Sequence, residues 1–565
     1  MTSIRISDLK AASLLGRYWA FMACALGTVA SLLWLRSVPD VWPVAAVLGA
    51  LTLVGIGDLL QRPRAVLRNY PIIGHLRYLL ESIRPEIRQY LLESDHEKLP
   101  FSRAQRSLVY QRAKGAPSEK GFGTLSDVYR AGHEFIGHSM RPVAAVDPAH
   151  LRIQIGGPSC TQPYSASIFN ISALSFGALS ANAIRALNQG ARDGGFAHDT
   201  GEGSVSAYHL EHGGDLIWEI GSGYFGCRTQ QGRFDPAKFR QTARLPQVRM
   251  IEIKLSQGAK PGHGGILPAH KVSAEIAATR GVAMGQDCIS PACHSAFDSP
   301  LGLLQFIAEL RELSQGKPVG FKLCVGHGWE FMAIVKAMLE TGITPDFIVV
   351  DGAEGGTGAA PLEFADHVGM PMREGLMFVH NALVGAGLRS AIRIGTSGKI
   401  VSAFDIACVL ALGADWANSA RGFMFAVGCI QSQSCHTNRC PTGVATQDAL
   451  RQRALVPQDK AVRVRDFHRN TLHALAQIIA AAGLRSHTDL RPQHLVRRVS
   501  AARVAPFSQL HAFLDPGALL QGRTPHEPYA SAWAAAQARS FAPLPMELPG
   551  DALLAAVTTT LSQSA

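Results

Sequence analysis

Three cysteines in the second half of the chain lie close together: Cys429, Cys435 and Cys440, followed directly by Pro441. The residues between them are mostly polar, which is a poor pattern for three thiols buried in a core. Three thiolates suit an iron–sulfur cluster in which one iron corner has no protein ligand. A single zinc ion is the alternative, and it would need a fourth ligand such as His436. The pattern therefore favours an iron–sulfur cluster.

Two short turns just before these cysteines have the composition of a phosphate site. The first, Gly-Thr-Ser-Gly, ends at Ser397 and Gly398, and the second, Ala-Arg-Gly, contains Arg421 and Gly422. Small residues let backbone N–H groups approach an anion, and a helix N-terminus adds positive potential. A phosphate cradle that leads into a thiolate cluster indicates a flavin beside an iron–sulfur centre. These residues predict an electron-transfer enzyme.

The turns belong to an alternation of short apolar strands and amphipathic helical segments that begins near residue 168. The predicted strands are 168–172, 196–200, 250–255, 285–290, 319–324, 347–351, 391–395 and 416–420. Eight strands, most of them followed by a helix, favour an α/β fold of the (β/α)8 TIM barrel type over an open doubly wound sheet. The interval between the second and third predicted strands is long enough to hold an excursion. Barrels of this type place the active site where the strands end.

Lys254 and Lys322 stand inside otherwise apolar predicted strands. A buried lysine is costly unless its charge is compensated. Pairing with a carboxylate of the chain is one interpretation for each lysine. The presence of both, together with the phosphate turns, favours a flavin or an anionic substrate at the mouth of the barrel.

Two apolar runs near the N-terminus, 18–35 and 41–57, are each close to the shortest length of a membrane-spanning helix. Trp19, Trp34 and Trp42 lie near their ends, as in an interfacial aromatic belt. A cleaved signal peptide is the alternative, but a second run follows the first. Basic residues precede the first run and follow the second. The positive-inside rule therefore predicts a multi-pass protein of the cell (inner) membrane with its catalytic domain on the cytoplasmic side. Its ten cysteines would lie in a reducing compartment, where structural disulfides are uncommon.

These patterns predict a domain organisation: a transmembrane hairpin at 1–60, a helical collar at 61–160, the barrel with its cysteine motif at 161–485, and a C-terminal extension at 486–565. The collar pattern is helical and polar to about residue 150. The formal net charge of +11 is concentrated at 62–114 and 451–503. Basic segments beside a membrane hairpin indicate attraction to anionic lipid head groups. Nucleic acid is not expected as a partner, because no binding motif accompanies the charge.

Taken together, these residues resemble the FMN-binding synthase domain of the glutamate synthase family. The resemblance covers approximately residues 168–484 and rests on the motifs SFGALS, GEG, IEIKLSQGAKPGHGG, DGAEGGTGAAP and CIQSQSCHTNRCPTGVATQ. It looks closest to the short form of the family, in which this domain stands without the glutamine amidotransferase and often carries an N-terminal membrane hairpin. The resemblance implies that Cys429, Cys435 and Cys440 are the ligands of a 3Fe-4S cluster.

The same resemblance implies roles for the strand-end residues. The FMN phosphate would lie at Ser397-Gly398 and Arg421-Gly422. The flavin ring would lie over the segment Ser172, Ala173, Leu174 and Ser175 and near Lys322, with Gly355 and Gly356 lining the site. Glu202, Lys254, Gln257 and Lys260 match positions that hold the flavin and 2-oxoglutarate. For Glu202, a proton shuttle and a structural pair with Lys254 are equally open interpretations.

The activity implied is reductive amination of 2-oxoglutarate to glutamate, with ammonia from solution or from a partner. No dinucleotide fingerprint is present, so electrons are expected from reduced ferredoxin or from a separate NAD(P)H-oxidising subunit. The chain has no N-terminal nucleophilic cysteine and no glutaminase-length region, so a separate amidotransferase subunit is a further candidate partner.

Two loops depart from the family pattern. His263 stands where full-length members have Glu after Pro-Gly, and Ser290-Pro291-Ala292-Cys293-His294 replaces a Pro-rich stretch with two histidines. Both loops are expected near the meeting point of substrate and ammonia. One alternative is therefore an FMN-dependent synthase of another amino acid, such as an N-alkyl glutamate. A second is an electron-transfer subunit without an organic substrate.

Overall fold

The computed structural model describes residues 6–545 apart from residues 62, 95–96, 98–99, 118, 120 and 524–525. The chain divides into two compact units, one within Met1–Glu97 and the other within Lys98–Ala565. Each unit is described separately below. Residues 546–565 of the predicted C-terminal extension, and Arg5 before the first predicted membrane span, lie outside the described residues.

The first unit is helical. Its elements are the α-helices Ile6–Trp34, Trp42–Leu60, Ala65–Asn69 and Gly74–Ile87, and the π-helical turn Arg88–Leu92. The two long helices pack side by side, and the hydroxyls of Thr28 and Thr52 lie 3.0 Å apart between them. In the described part of the chain, Pro39–Leu60 is the one helix that is long and apolar enough to cross a membrane, with a mean hydropathy of 1.9. This finding concerns the second predicted span, and the first stays a prediction.

The second unit contains a closed barrel of eight parallel strands. In chain order they are Phe169–Ile171, His198–Asp199, Leu216–Ile220, Val248–Lys254, Val319–Leu323, Phe347–Asp351, Arg393–Ser397 and Trp416–Ser419. The last strand pairs with the first and closes the ring. These strands are buried almost throughout, as expected for a parallel sheet covered by helices. The predicted TIM barrel is confirmed.

One of the predicted barrel strands is wrong. The segment predicted at 285–290 contains the strand Cys288–Ser290, which pairs antiparallel with Gly265–Leu267 outside the barrel. The barrel instead uses Leu216–Ile220, which lies in the long interval after the second strand. The sequence LIWEI is a short apolar run interrupted by a glutamate, so its pattern alone did not mark it as a strand. The hairpin of Gly265–Leu267 and Cys288–Ser290 is an excursion inserted after the fourth barrel strand.

Helices surround the barrel and cover its ends. They are Arg103–Lys114, Ala181–Gly194, Ala207–Leu210, Pro236–Ala243, Ala274–Arg280, Pro300–Leu313, Gly328–Thr341, Leu362–His367, Met372–Gly385, Ala403–Ala411, Arg421–Ala426, Ala449–Gln452, Pro457–Ala481, Phe507–Leu510 and Tyr529–Ala535. The longest, Pro457–Ala481, packs against Ala181–Gly194 and Arg103–Lys114.

Two small sheets complete the unit. Arg152–Ile155 pairs with Tyr164–Ser167. Glu134–Ile136 from the predicted collar pairs with Leu495–Arg498, which also pairs with Val504–Pro506. The helical pattern predicted to about residue 150 therefore ends earlier: among the described residues after Lys114, the next helical element is the short turn Pro148–His150. Glycine and proline are frequent in the intervening segment, and they disfavour a helix.

Candidate active site

The centre of the candidate site is an ion pair between a loop and a barrel strand. Glu202 follows the second strand, and its carboxylate lies 3.1 Å from the ammonium of Lys254 at the end of the fourth strand. The hydroxyl of Ser290 donates to the other carboxylate oxygen at 3.1 Å. Burial opposes ionisation of Glu202, but the Lys254 ammonium outweighs it and lowers the pKa of Glu202 to about 2. Glu202 is therefore ionised at neutral pH.

Two glycines make room for this carboxylate. A Cβ at Gly221 would come within 2.7 Å of one Glu202 oxygen, and a Cβ at Gly265 within 2.6 Å of the other. Gly265 begins the inserted hairpin, which also carries Ser290. The excursion after the fourth strand therefore shapes the candidate site.

A small pocket beside the ion pair gathers the four residues predicted to hold the flavin and 2-oxoglutarate. Glu202, Lys254, Gln257 and Lys260 all line it. Lys260 is only 8% exposed, and burial together with the nearby Lys254 lowers its pKa. Within the described residues no carboxylate lies within 4.0 Å of the Lys260 ammonium, and the buried amide nitrogen of Gln257 has no hydrogen-bond partner. The pocket has one more positive charge than its neighbours neutralise.

Lys322 lies inside the barrel and is held by three carboxylates. Its ammonium forms ion pairs with Glu219 and with Glu252 at 3.1 Å, and Asp199 lies 4.0 Å away. Burial raises the pKa of Asp199 despite the Lys322 charge, and burial and Asp199 raise the pKa of Glu252 well above its usual value. Burial and mutual repulsion thus favour the protonated form of these carboxylates, while the ammonium groups of Lys322 and the more distant Lys254 oppose it. Lys254 and Lys322, for which the sequence favoured a flavin or an anionic substrate, thus both have carboxylate partners in the chain, as the alternative interpretation had it. Among the described residues Lys260 has none within 4.0 Å.

The two predicted phosphate turns lie at the ends of the seventh and eighth strands. The Ser397 hydroxyl donates to Asp351, and the Arg421 guanidinium donates to the Glu354 carbonyl at 2.9 Å. No protein oxygen in the described part of the chain accepts from the backbone N–H groups of Gly398 or Gly422. These two donors therefore remain available for an anion.

A second cation accompanies Arg421 at these turns. Lys399 follows Gly398 directly, with a φ of 52°. Burial and the nearby Arg421 lower the pKa of Lys399, and burial lowers that of Arg421 to about 10. Two partly buried cations that repel each other favour an anion between them. Lys399 was missed in the sequence, although its position after a glycine-containing turn was a visible signal.

The turns and the substrate pocket adjoin each other. The N–H of Gly258, next to Gln257, donates to Asp351 at 2.7 Å. A Cβ at Gly258 would lie 1.8 Å from the Gly352 carbonyl oxygen, and Gly355 lies against the same glycine. A Cβ at Gly356 would come within 2.8 Å of the Arg421 side chain. Gly355 and Gly356 therefore lie between the substrate pocket and the phosphate turns.

The loop after the first strand lies next to the second strand. Ser172 donates its N–H to the Ser419 carbonyl, and Leu174 donates to the Asp199 carbonyl. Ser172 and Leu174 are buried, while Ala173 and Ser175 are partly exposed. A side chain on Gly201 would meet the backbone of Ser175 at 2.9 Å. The segment 172–175 thus forms one wall of the barrel mouth.

The cysteine segment contacts the phosphate turns through Phe101. The Arg421 guanidinium lies 4.7 Å from the centre of the Phe101 ring. The backbone carbonyl of Phe101 accepts a hydrogen bond from the side-chain amide of Gln431 at 3.3 Å. The Gln431 N–H in turn donates to the sulfur of Cys429 at 3.4 Å. At the other end of the segment, Gln447 donates to the carbonyls of Gly177 and Leu179 in the loop after the first strand.

The three thiols differ in acidity. Burial raises the pKa of Cys429 to about 12, with smaller contributions from Cys435 and Cys440. Burial also raises the pKa of Cys435. Burial opposes ionisation of Cys440 as well, but hydrogen bonds from backbone N–H groups that follow it lower its pKa. Cys440 is therefore the most acidic of the three thiols.

A closed parallel barrel with buried cations and an ionised carboxylate at its strand ends defines a TIM-barrel enzyme. Residues 155–485 match the conserved region in glutamate synthase. The glutamate synthase large subunit-like protein YerD of Bacillus subtilis is 38% identical over 81% of this chain and 95% of that protein. The archaeal glutamate synthase (NADPH) of Methanocaldococcus jannaschii is 36% identical over 57% of this chain and 60% of that protein. This chain belongs to the glutamate synthase family, in its short form, and is an oxidoreductase.

The solved structures matched by the barrel are more distant. A mutant flavocytochrome b2 with pyruvate bound is 12% identical, with a TM-score of 0.41, over 80% of this chain and 91% of that chain. Likeness at this level supports no argument about the site.

Proposed function

We propose that this chain is a membrane-anchored FMN and iron–sulfur oxidoreductase that converts 2-oxoglutarate and ammonia to glutamate. The observation that carries the proposal is the pocket of Glu202, Lys254, Gln257 and Lys260. Lys260 is buried with no carboxylate in ion-pair distance among the described residues. A buried ammonium needs a compensating anion. A dicarboxylate substrate supplies it.

The pocket residues suit a 2-oxo acid. The Lys260 ammonium binds one substrate carboxylate, and the unpartnered Gln257 amide donates to a second oxygen of the substrate. Lys254 remains paired with Glu202, and its remaining N–H donors are directed to the substrate oxygen that leaves as water. These contacts orient the substrate and exclude water from its reacting carbon.

Glu202 supplies the proton chemistry. The Lys254 ammonium lowers the pKa of Glu202 to about 2, so Glu202 is a carboxylate. It takes up a proton from the nitrogen after neutral ammonia has added to the keto carbon. The Ser290 hydroxyl holds the carboxylate in place. Reduced FMN supplies the hydride that reduces the resulting imine carbon.

The turns at Ser397-Gly398 and Arg421-Gly422 fit the FMN phosphate. The unpaired N–H groups of Gly398 and Gly422 and the two cations Lys399 and Arg421 together offer four donors to one anion. The segment Ser172, Ala173, Leu174 and Ser175 would line the ring at the mouth of the barrel. Gly355 and Gly356, which lie between the substrate pocket and the phosphate turns, and Lys322 are assigned near the ring by family resemblance.

The cysteines Cys429, Cys435 and Cys440 fit a 3Fe-4S cluster better than zinc. Among the described residues, the one set of three acidic, His or Cys side chains with ligand atoms within 4.8 Å of one another is Asp199, Glu219 and Glu252. At least one pair of the three cysteine sulfurs is therefore more than 4.8 Å apart, whereas the ligands of one zinc ion lie roughly 3.8 Å apart. This spacing supports a cluster that passes electrons to the flavin from reduced ferredoxin or a separate NAD(P)H-oxidising subunit.

The first unit supports attachment to the cell (inner) membrane with the catalytic domain on the cytoplasmic side. Helix Trp42–Leu60 carries exposed apolar side chains along its length, including Trp42 and Leu53. At its end, buried Asp58 accepts from the Ile72 N–H and from His75. The helix Gly74–Ile87 that follows exposes Leu76, Leu79, Leu80 and Ile83 on one face, as interfacial helices do. A multi-pass hairpin with lipid as its partner is consistent with these features.

The test uses the full chain purified in detergent. FMN, iron and sulfide are quantified, the protein is reduced without oxygen, and its reoxidation is followed on addition of 2-oxoglutarate and ammonia. The expected result is reoxidation with stoichiometric glutamate only when both substrates are present. Preferential turnover with methylamine would favour the N-alkyl glutamate alternative. Bound FMN and iron without turnover on any amine would favour an electron-transfer subunit.

A further inference from the structure

The inserted hairpin after the fourth barrel strand brings a buried lysine to the cysteine segment. Lys271 lies in the short helical turn Ala269–Lys271 between the two hairpin strands, and it is 4% exposed. Its ammonium donates to the carbonyl of Cys435 at 2.7 Å. The two residues are 164 positions apart in the sequence.

The ammonium of Lys271 forms no ion pair with a carboxylate of the described residues. Across the described residues, no Asp or Glu lies within 4.0 Å of its ammonium. The ammonium instead lies against the cysteine segment, where it donates to the carbonyl of Cys435 at 2.7 Å. A buried ammonium is stable only with a compensating negative charge nearby. The cysteine ligands and what they bind are the groups positioned to provide it.

We propose that Lys271 is the charge partner of the iron–sulfur cluster and that its ammonium raises the reduction potential of that cluster. This inference rests on the cluster assigned under the proposed function. A cluster held by three thiolates is anionic and gains a further negative charge on reduction. A fixed positive charge in a low-dielectric site stabilises the reduced form more than the oxidised form. Lys271 is thus a positioning and tuning residue rather than a ligand.

The inserted hairpin contacts two parts of the candidate site. The strands of the hairpin place Ser290 on the Glu202 carboxylate, and the turn between them places Lys271 on the cysteine segment. One insertion therefore contacts both the substrate pocket and the predicted electron-entry site.

The experiment measures the midpoint potential of the cluster in the full-length protein by EPR-monitored redox titration. Lys271→Gln removes the charge but can still donate to the Cys435 carbonyl, Lys271→Met removes both, and Lys271→Arg keeps the charge. Lys317→Met is the matched control, because Lys317 is also buried and donates only to backbone carbonyls, those of Ala243 and Leu245. Iron, sulfide and FMN are quantified in every variant.

The expected result is a lower midpoint potential in Lys271→Gln and Lys271→Met, with Lys271→Arg and Lys317→Met close to the wild type. An unchanged potential in the two neutral variants overturns the inference, as does an equal shift in Lys317→Met. The neutral variants could instead lose iron while keeping FMN. In that case, retention of iron by Lys271→Arg supports the role of the positive charge, and loss of iron from Lys271→Arg as well overturns it. If the wild-type protein contains no iron, the cluster assignment itself is wrong, and the proposed function fails with it. The metal analysis of the wild type distinguishes this outcome from a failure of the Lys271 inference alone.

Discussion

The carboxylate of Glu202 and the ammonium of Lys254 lie 3.1 Å apart at the mouth of the barrel, on segments that the sequence separates by about fifty residues. Both interpretations made from the sequence, a structural pair and a proton shuttle, require this geometry. The pairing keeps Glu202 ionised beside the pocket, and an ionised carboxylate there takes up a proton from the nitrogen once ammonia has added to the substrate. The two roles are therefore compatible.

Replacing Glu202 tests its role as a proton acceptor. Glu202→Gln keeps the size of the side chain and removes its charge. We expect kcat for glutamate formation to fall about 100-fold or more, within the usual range for loss of a general base. FMN content should be unchanged. Ser290→Ala, which removes only the hydrogen bond to the carboxylate, serves as the control and should cost much less activity.

The same pair predicts a stability change with pH. The pKa of Glu202 is lowered from 4.5 to about 2, so the folded state binds this proton less readily than the unfolded state. The pair therefore stabilises the protein fully above pH 4.5, and this contribution is lost as the pH falls from 4.5 towards 2, about 3 kcal/mol in total. Thermal unfolding of the wild type and of Glu202→Gln should converge over this range. A difference between them that stays constant with pH would contradict the assignment.

Lys260 is expected to bind substrate rather than cofactor. Lys260→Met removes a buried charge that has no carboxylate partner among the described residues. Loss of one hydrogen bond to a charged group costs about 1.5–3 kcal/mol, so KM for 2-oxoglutarate should rise about 10- to 100-fold. Steady-state kinetics with excess ammonia measures this. Lys238→Met, at an exposed lysine whose ammonium lies 3.9 Å from Asp235, is the matched control and should leave KM unchanged.

Arg421 is expected to recognise the phosphate of FMN. In Arg421→Gln, the affinity for FMN should fall about 10- to 100-fold through loss of a charge-assisted contact. Riboflavin lacks the phosphate, so its affinity should be the same in the variant and the wild type. Fluorescence titration of the apoprotein with each ligand gives both constants. Equal losses for the two ligands would indicate a structural effect, for example through the contact of Arg421 with Phe101.

The cysteine motif is tested by metal content. Cys440→Ser should abolish stoichiometric iron and sulfide and the EPR signal of the cluster, because each thiolate is a ligand. Cys160→Ser is the control, since Cys160 is a free cysteine whose thiol donates to the Gly316 carbonyl, outside the motif. Zinc in place of iron in the wild type, with no visible absorption beyond that of the flavin, would refute the cluster assignment.

The sequence by itself determined the barrel and most of its strand ends. Seven of the eight strands were readable because buried parallel strands are short apolar runs bounded by glycine and polar turns. The motif residues Glu202, Lys254, Gln257 and Lys260 were likewise visible, and the structure places all four around one pocket.

Tertiary structure alone decided which charges meet. The third barrel strand at Leu216–Ile220, the three carboxylates around Lys322 and the contact of Lys271 with Cys435 all depend on pairings between distant segments. The local pattern of apolar residues indicates which face of a helix or strand is buried, but it does not identify the distant segment that packs against that face. For this reason the sequence marked Lys254 and Lys322 as cations in need of an anion. Only the folded chain showed that both have carboxylate partners, whereas Lys260 is buried with no carboxylate within 4.0 Å among the described residues.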